Sequence, residues 1–296
     1  MAKGRQLKGR IRSVQNTRKI TKTMELVATS KLKRAQDRVV AARPYAAALR
    51  EVIADLVTPE LAERFPLLRR PAPPEKGGPR RAALILITSN RGLAGGFNSN
   101  LIKEARRRIE ALEGEGYQPE LYGIGRKGIG FFKYLGRSFA MERIDIGDRP
   151  TADHAAEIVA PLIEQYERGE LASVDLVQAQ FLSAISTPPA TVRILPVEAP
   201  EGQDGKTGTR PDYILSPGPD ELLAQLLPLY VRNALYRGLV ETAAAEHGAR
   251  RTAMKNATDN AGDILEALKR TYNRQRQAAI TQEISEIVGG AAALQG

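Results

Sequence analysis

From Leu7 onward, apolar and small side chains recur at alternating steps of four and three: Leu7, Ile11, Val14, Thr21, Ala28, Leu32, Ala35, Val39, Ala42, Ala46, Leu49, Ile53 and Leu56. Arg18 and Glu25 fall on the same register and interrupt it. That is a heptad seam, the mark of one helix packing along another. At ~1.5 Å per residue, residues 5–57 predict a helix of about 80 Å, with Pro44 as its expected kink. Pro59, Pro66, Pro71, Pro73, Pro74 and Pro79 then terminate it and predict a linker. A second four–three register starts after Gly218-Pro219-Asp220-Glu221, a helix opening with proline in the first turn and acids facing the dipole. It runs Leu222, Leu226, Leu229, Asn233, Tyr236, Val240, Ala243, His247, Arg250, Met254, Ala257, Ala261, Ile264, Leu268, Thr271, Gln275 and Ala278. Continued to Val288, this helix is about 105 Å long.

Between the helices the period changes. Ala82 to Thr88 is a continuous apolar run, as for a strand covered on both faces. Further strands are predicted at Pro119–Ile124, Ser138–Ile144, Ser173–Leu182 and Thr191–Val197, with helices at Asn98–Leu112, Lys127–Leu135 and Ala152–Glu170. Strand and helix in alternation predict an α/β domain on a mostly parallel sheet. Residues 198–218, rich in Gly and Pro, read as loop with room for one short strand. Two such long helices cannot each be buried by the domain between them, so they are expected to pair as an antiparallel coiled coil with the α/β domain inserted. The longer second helix then leaves an unpartnered tip carrying Ile280, Ile284, Ile287, Val288, Ala291 and Leu294, which implies a socket in another protein.

Charge sharpens this picture. The 296 residues carry a net charge of +10, and residues 1–57 hold 14 Lys and Arg against 4 Asp and Glu. The remaining chain, with 30 of each, is neutral. The whole excess lies on the first helix and asks for an acidic partner: nucleic acid, anionic lipid or an acidic protein surface. Nucleic-acid binding is the rival reading, but Tyr45 alone supplies an aromatic there, and a regular seam favours a helical partner. Zero cysteines exclude disulfides, a thiol nucleophile and a Cys metal site, while two histidines leave little for zinc or a Ser-His-Asp triad. No apolar run is long enough to span a membrane; a cytoplasmic chain is expected.

Two glycine-rich stretches invite a nucleotide reading. Asn90 to Asn98 follows the first strand but lacks the Gly-Lys-Ser/Thr of a phosphate loop. Gly123-Ile124-Gly125-Arg126-Lys127-Gly128 is a literal G-x-G-x-x-G, with Asp145 about twenty residues on. It follows the second strand rather than the first, and tight turns explain it better than a Rossmann nucleotide-binding enzyme does. His247 reads as a polar contact between helices. Asn256, Asp259, Asn260 and Asp263 read as a solvated or interhelical face rather than a metal site. No catalytic, cofactor or metal residues are assigned.

Other segments carry a resemblance. Ile11-Arg12-Ser13-Val14-Gln15-Asn16-Thr17-Arg18-Lys19-Ile20-Thr21-Lys22-Thr23-Met24, Val27-Ala28-Thr29-Ser30-Lys31-Leu32, Thr88 to Asn98, Arg250 to Ala261 and Tyr272 to Ala291 resemble the gamma subunit of F-type rotary ATP synthases, over the whole chain. Asn90 stands where that family usually has Asp, Thr23 and Gly248 where it has Ala, and Arg251 where it has Met. The inserted cysteine-bearing segment of chloroplast forms is missing, which points to the bacterial type. The resemblance implies a Rossmann-like domain inserted into the coiled coil, in segments 1–58 (first helix), 59–80 (linker), 81–200 (α/β domain), 201–218 (loop) and 219–296 (second helix). It implies a non-catalytic central shaft without cofactor or bound nucleic acid. The implied partners are three alpha and three beta subunits, the epsilon subunit and the c-ring, at the cytoplasmic face of the cell membrane. By the same pattern Lys19, Lys22 and Met24 face beta, and Arg250, Gln277, Thr281 and Glu283 are further partner contacts.

Overall fold

The computed structural model describes residues 2–69, 80–198 and 218–294. The expected loop at 201–218 and most of the linker therefore lie outside the described residues. The elements run α1 (Ala2–Leu56), α2 (Pro59–Arg64), β1 (Arg80–Ile87), α3 (Phe97–Gly114), β2 (Tyr117–Ile124), α4 (Arg126–Tyr134), β3 (Phe139–Arg143), α5 (Ala152–Glu167), β4 (Leu171–Ala179), β5 (Pro189–Leu195) and α6 (Pro219–Leu294). By its internal contacts the chain divides into two units, Thr29–Ala249 and the pair Met1–Ala28 with Arg250–Gly296. Both long helices cross from one unit into the other.

In the first unit the strand order is β3-β2-β1-β4-β5, with β5 antiparallel and the other pairings parallel. Alternate residues of β1 serve two cores. Ala83, Ile85 and Ile87 pack with α5, the end of α1 and the start of α6. Leu84 and Leu86 pack with α3, α4 and the middle of α1. Cover on both faces is why this strand reads as unbroken apolar sequence. The seam expected on α1 is the buried one: Leu32, Ala35, Val39, Ala46, Leu49, Ile53 and Leu56 are all buried. The helix runs on through Pro44.

Three expectations are corrected. Residues 59–64 are helical, not linker: Thr58 Oγ1 accepts from Leu61 N (3.3 Å), and Pro59 sits in the first turn, where its missing N–H is not needed. On the first half of α6 the buried stripe is Leu223, Leu227, Val231, Leu235 and Leu239, one to two residues past the predicted Leu222, Leu226 and Leu229. There the helix lies against the sheet as well as α1, and its four-residue step follows that broader contact. β4 and β5 each begin and end two to three residues earlier than predicted, because their connecting loop closes at once, with Gln180 N donating to Pro188 O (2.9 Å).

Candidate functional site

In the second unit the ends of α1 and α6 pair. Thr21 and Ala28 of α1 are buried, as are Met254, Thr258, Ala261 and Leu265 of α6. Ile264, expected on the seam, is 52% exposed, its place taken by Leu265. Thr258 Oγ1 lies 2.8 Å from Thr21 Oγ1, and a β-carbon on Gly262 would lie 3.8 Å from the Arg18 guanidinium. Climbing α6 from Thr258 to Gly262 thus descends α1 from Thr21 to Arg18, so the helices are antiparallel. Thr21 Oγ1 donates to Arg18 O (3.1 Å), and Thr258 Oγ1 also reaches Met254 O (2.8 Å). Both hydroxyls are satisfied inside an otherwise apolar seam. Thr258→Val should therefore destabilise by about 1 kcal/mol, and adding Thr21→Val should recover part of that loss. A double-mutant cycle on thermal unfolding reads the coupling; additive losses would refute the pairing.

The partner-contact residues fall in separate places. Lys19 is exposed; Lys22 is exposed and pairs with Glu25 one turn on (3.1 Å); Met24 is half-buried. Arg250 is half-buried one turn before Met254, whereas Gln277, Thr281 and Glu283 are exposed. With Thr21 opposite Thr258, Gln277 falls opposite residue 2 and Thr281 passes the start of α1. Arg250 and Gln277, 27 positions apart on one helix, are separated by about 40 Å. The structure does not bring them together. Beyond them Ile280, Ile284, Ile287 and Val288 are 47–67% exposed. The seam pattern passed over Ile20, Leu26 and Val27, which are off-register on α1 and more than half exposed. Their signal in the sequence was that same off-register position on a basic face.

The glycine motif of the α/β unit performs a packing task. The first three N–H groups of α4 are all taken by the loop leaving β1: Arg126 N donates to Asn90 Oδ1 (3.0 Å), Lys127 N to Ser89 O (3.1 Å) and Gly128 N to Thr88 Oγ1 (2.9 Å). In dinucleotide sites such groups face a pyrophosphate. Asn90 Nδ2 also donates to Ile144 O (2.9 Å) and Ile146 O (3.1 Å), bonds that an ionised Asp could not donate. The crevice beyond β1 and β4, where the strand order reverses and doubly wound sheets bind ligands, is occupied by α6. Ala179 N donates to Thr242 Oγ1 (3.2 Å) and Phe181 N to Glu241 Oε2 (3.4 Å), while Gly238 lets α6 close on Leu176 and Gln178.

His247 is buried, and its partner is not a neighbour along the coil. Its Nε2 lies 3.4 Å from Asp148 Oδ1, in the loop after β3. Lys31 donates to the other carboxylate oxygen, and Arg38 Nη1 to the Asp148 carbonyl (2.7 Å). Burial acts to raise the Asp148 pKa, but the Lys31 hydrogen bond and the charges of His247, Lys31 and Arg91 prevail and lower it. Asn256, Asp259, Asn260 and Asp263 are exposed, as a solvated face requires.

These features define an antiparallel helix pair with an inserted Rossmann-like domain, whose ligand crevice is filled by its own helix. The chain belongs to the ATP synthase family, whose model matches residues 3–294, and within it to the gamma chains. It is 60% identical over 296 residues to the ATP synthase gamma chain of Gemmatimonas aurantiaca, covering 100% of both chains. It is 44% identical to that of Desulfitobacterium hafniense, again over 100% of each. In fold it is similar to a chain of the Euglena gracilis mitochondrial ATP synthase rotor, with TM-score 0.66 and 16% identity over 94% of this chain and 99% of that one.

Proposed function

We propose that this chain is the central rotor shaft of an F-type ATP synthase. It couples proton-driven c-ring rotation to sequential conformational change at three catalytic beta subunits, and hydrolysis drives it in reverse. The observation that carries this reading is similarity to gamma chains along the full length, long helices included. A single asymmetric helix pair inside a ring of three alpha and three beta subunits touches each beta differently, and differential contact shifts each site's conformational equilibrium. The chain itself is non-catalytic and holds no cofactor. It sits peripherally at the cytoplasmic face of the cell membrane with the epsilon subunit and the c-ring; no described helix is long and apolar enough to cross a membrane. In this reading the segments 1–58 and 219–296 form the shaft and 81–200 the domain toward the c-ring.

Lys19, Lys22 and Met24 form the basic collar facing beta, where screened charge contacts allow sliding. Arg250, Gln277, Thr281 and Glu283 catch beta-subunit loops along α6. Arg250→Ala with Gln277→Ala removes two polar contacts, each worth about 1.5–3 kcal/mol when charge-assisted. Gln277→Ala, at an exposed helix position, costs the fold under about 0.5 kcal/mol, and Arg250→Ala, at a half-buried one, about 1 kcal/mol. The double variant should assemble with alpha and beta and unfold near the wild-type temperature, with slower steady-state ATPase and ATP-driven proton pumping. Wild-type turnover would refute the contact assignment, and failure of the wild-type chain to co-purify with alpha and beta would refute the rotor reading.

A further inference from the structure

At the end of the sheet where the parallel strands begin, three arginines surround a pocket of about 410 Å³, lined by Arg80, Arg108, Arg193, Glu115, Tyr117 and Ser173. Each comes from a fixed element. Arg80 opens β1, with its guanidinium 5.7 Å from the centre of the Tyr117 ring at the start of β2. Arg108 projects from α3 and Arg193 from β5, and both are anchored on the buried Asp175 carboxylate. Arg108 Nε donates to Oδ2 (2.9 Å) and Arg193 Nε to Oδ1 (3.0 Å). A guanidinium carries five N–H donors. Asp175 takes only Nε of Arg193, and neither of its terminal nitrogens bonds a described residue. The carboxylate fixes the planes of two arginines; Arg108 also sets Nη2 2.8 Å from Asp175 Oδ2 and Nη1 3.6 Å from Glu115 Oε1, so the donors to spare are chiefly the terminal nitrogens of Arg193.

Ser173 lies two residues before Asp175 on β4, hence on the same face of the sheet. It is 5% exposed, and its Oγ has no hydrogen-bond partner among the described residues. A buried hydroxyl left unpaired is costly, and most are satisfied. Here the unsatisfied hydroxyl lines a pocket whose walls carry three guanidiniums and the Glu115 carboxylate, with Asp175, the anchor of Arg108 and Arg193, outside the lining. An acceptor-rich anion would use the spare arginine donors and the hydroxyl together. Guanidinium geometry suits tetrahedral oxyanions in particular.

We propose that this pocket binds a phosphate-class oxyanion, held by Arg80, Arg108, Arg193 and the Ser173 hydroxyl. The site does not rest on the rotor reading. The test is thermal unfolding of the purified full chain titrated with inorganic phosphate, against potassium chloride of equal ionic strength. Phosphate should raise the melting temperature saturably, as binding to the folded state requires, and chloride should not. Ser173→Ala without phosphate should melt at or above wild type, because it removes an unpaired hydroxyl. It should nevertheless need roughly two- to tenfold more phosphate for the same rise, and Arg80→Gln about tenfold more. A parallel titration with glycerol 3-phosphate identifies the source: a stronger response than to phosphate, weakened by Ser173→Ala, supports a phosphomonoester in the same pocket. No saturable rise beyond chloride with either probe would leave an ion-pair cluster only and overturn the proposal. Equal responses of wild type and Ser173→Ala would overturn it too, by placing the anion elsewhere.

Discussion

Replacing Gly125 with alanine should destabilise the α/β unit by about 2–5 kcal/mol, a large share of an ordinary protein's 5–15 kcal/mol. Two costs combine. Gly125 has φ +94°, a region L side chains rarely adopt, and a β-carbon there would lie 2.0 Å from the Thr88 carbonyl oxygen. That neighbour is backbone at the end of β1, held by Thr88 N donating to Ile124 O (2.7 Å), so it cannot give way. The internal control is Gly130, inside the helix that Gly125 precedes, with nothing within 4 Å of its added β-carbon. Gly130→Ala should stabilise by up to about 1 kcal/mol through helix propensity. Urea unfolding of both variants followed by circular dichroism checks the pair, and a Gly125→Ala midpoint at the wild-type value would contradict the close turn.

Asp175→Ala should cost about 3–5 kcal/mol, the loss typical of breaking a buried ion pair from one side. Asp175 is 1% exposed, and the side chains of Arg108 and Arg193 are themselves only 18% and 26% exposed. Removing the carboxylate takes the ion pair from Arg193 and leaves Arg108 only Glu115 at 3.6 Å, and guanidiniums cannot deprotonate. The loss measures stranded charge rather than the worth of the pairing. The triple variant Asp175→Leu, Arg108→Met, Arg193→Met should accordingly unfold later than Asp175→Ala alone. If the triple variant were the less stable, the charges would be contributing net stability, and this account would fail.

What the sequence revealed depended on how many surfaces each element meets. On α1, which follows one stripe, every predicted seam residue from Leu32 to Leu56 except half-buried Ala42 is buried. The same rule failed on the start of α6, because Leu223 to Leu239 meet α1 and the sheet together and a narrow heptad cannot describe that contact. β1 was legible because both of its faces are apolar. Of the seven proposed contact residues, Gln277, Thr281 and Glu283 are exposed, whereas Arg250, on the predicted register, is half-buried. Asp148 as the partner of His247, and Glu241 and Thr242 as partners of the β4 exit, could not be read from local pattern. Each joins residues more than fifty positions apart, and only the folded topology makes them neighbours.

The filled crevice has a mechanical consequence. In nucleotide-binding relatives of this sheet, the space beyond the switch point is left open for a ligand. Here two backbone N–H groups at the exit of β4 are bonded to side chains of α6, and Gly238 allows the helix to seat directly on the strand. A twisting load arriving along residues 238–242 enters the sheet through β4, which pairs in parallel with β1. The place where other proteins keep a door is in this one a weld.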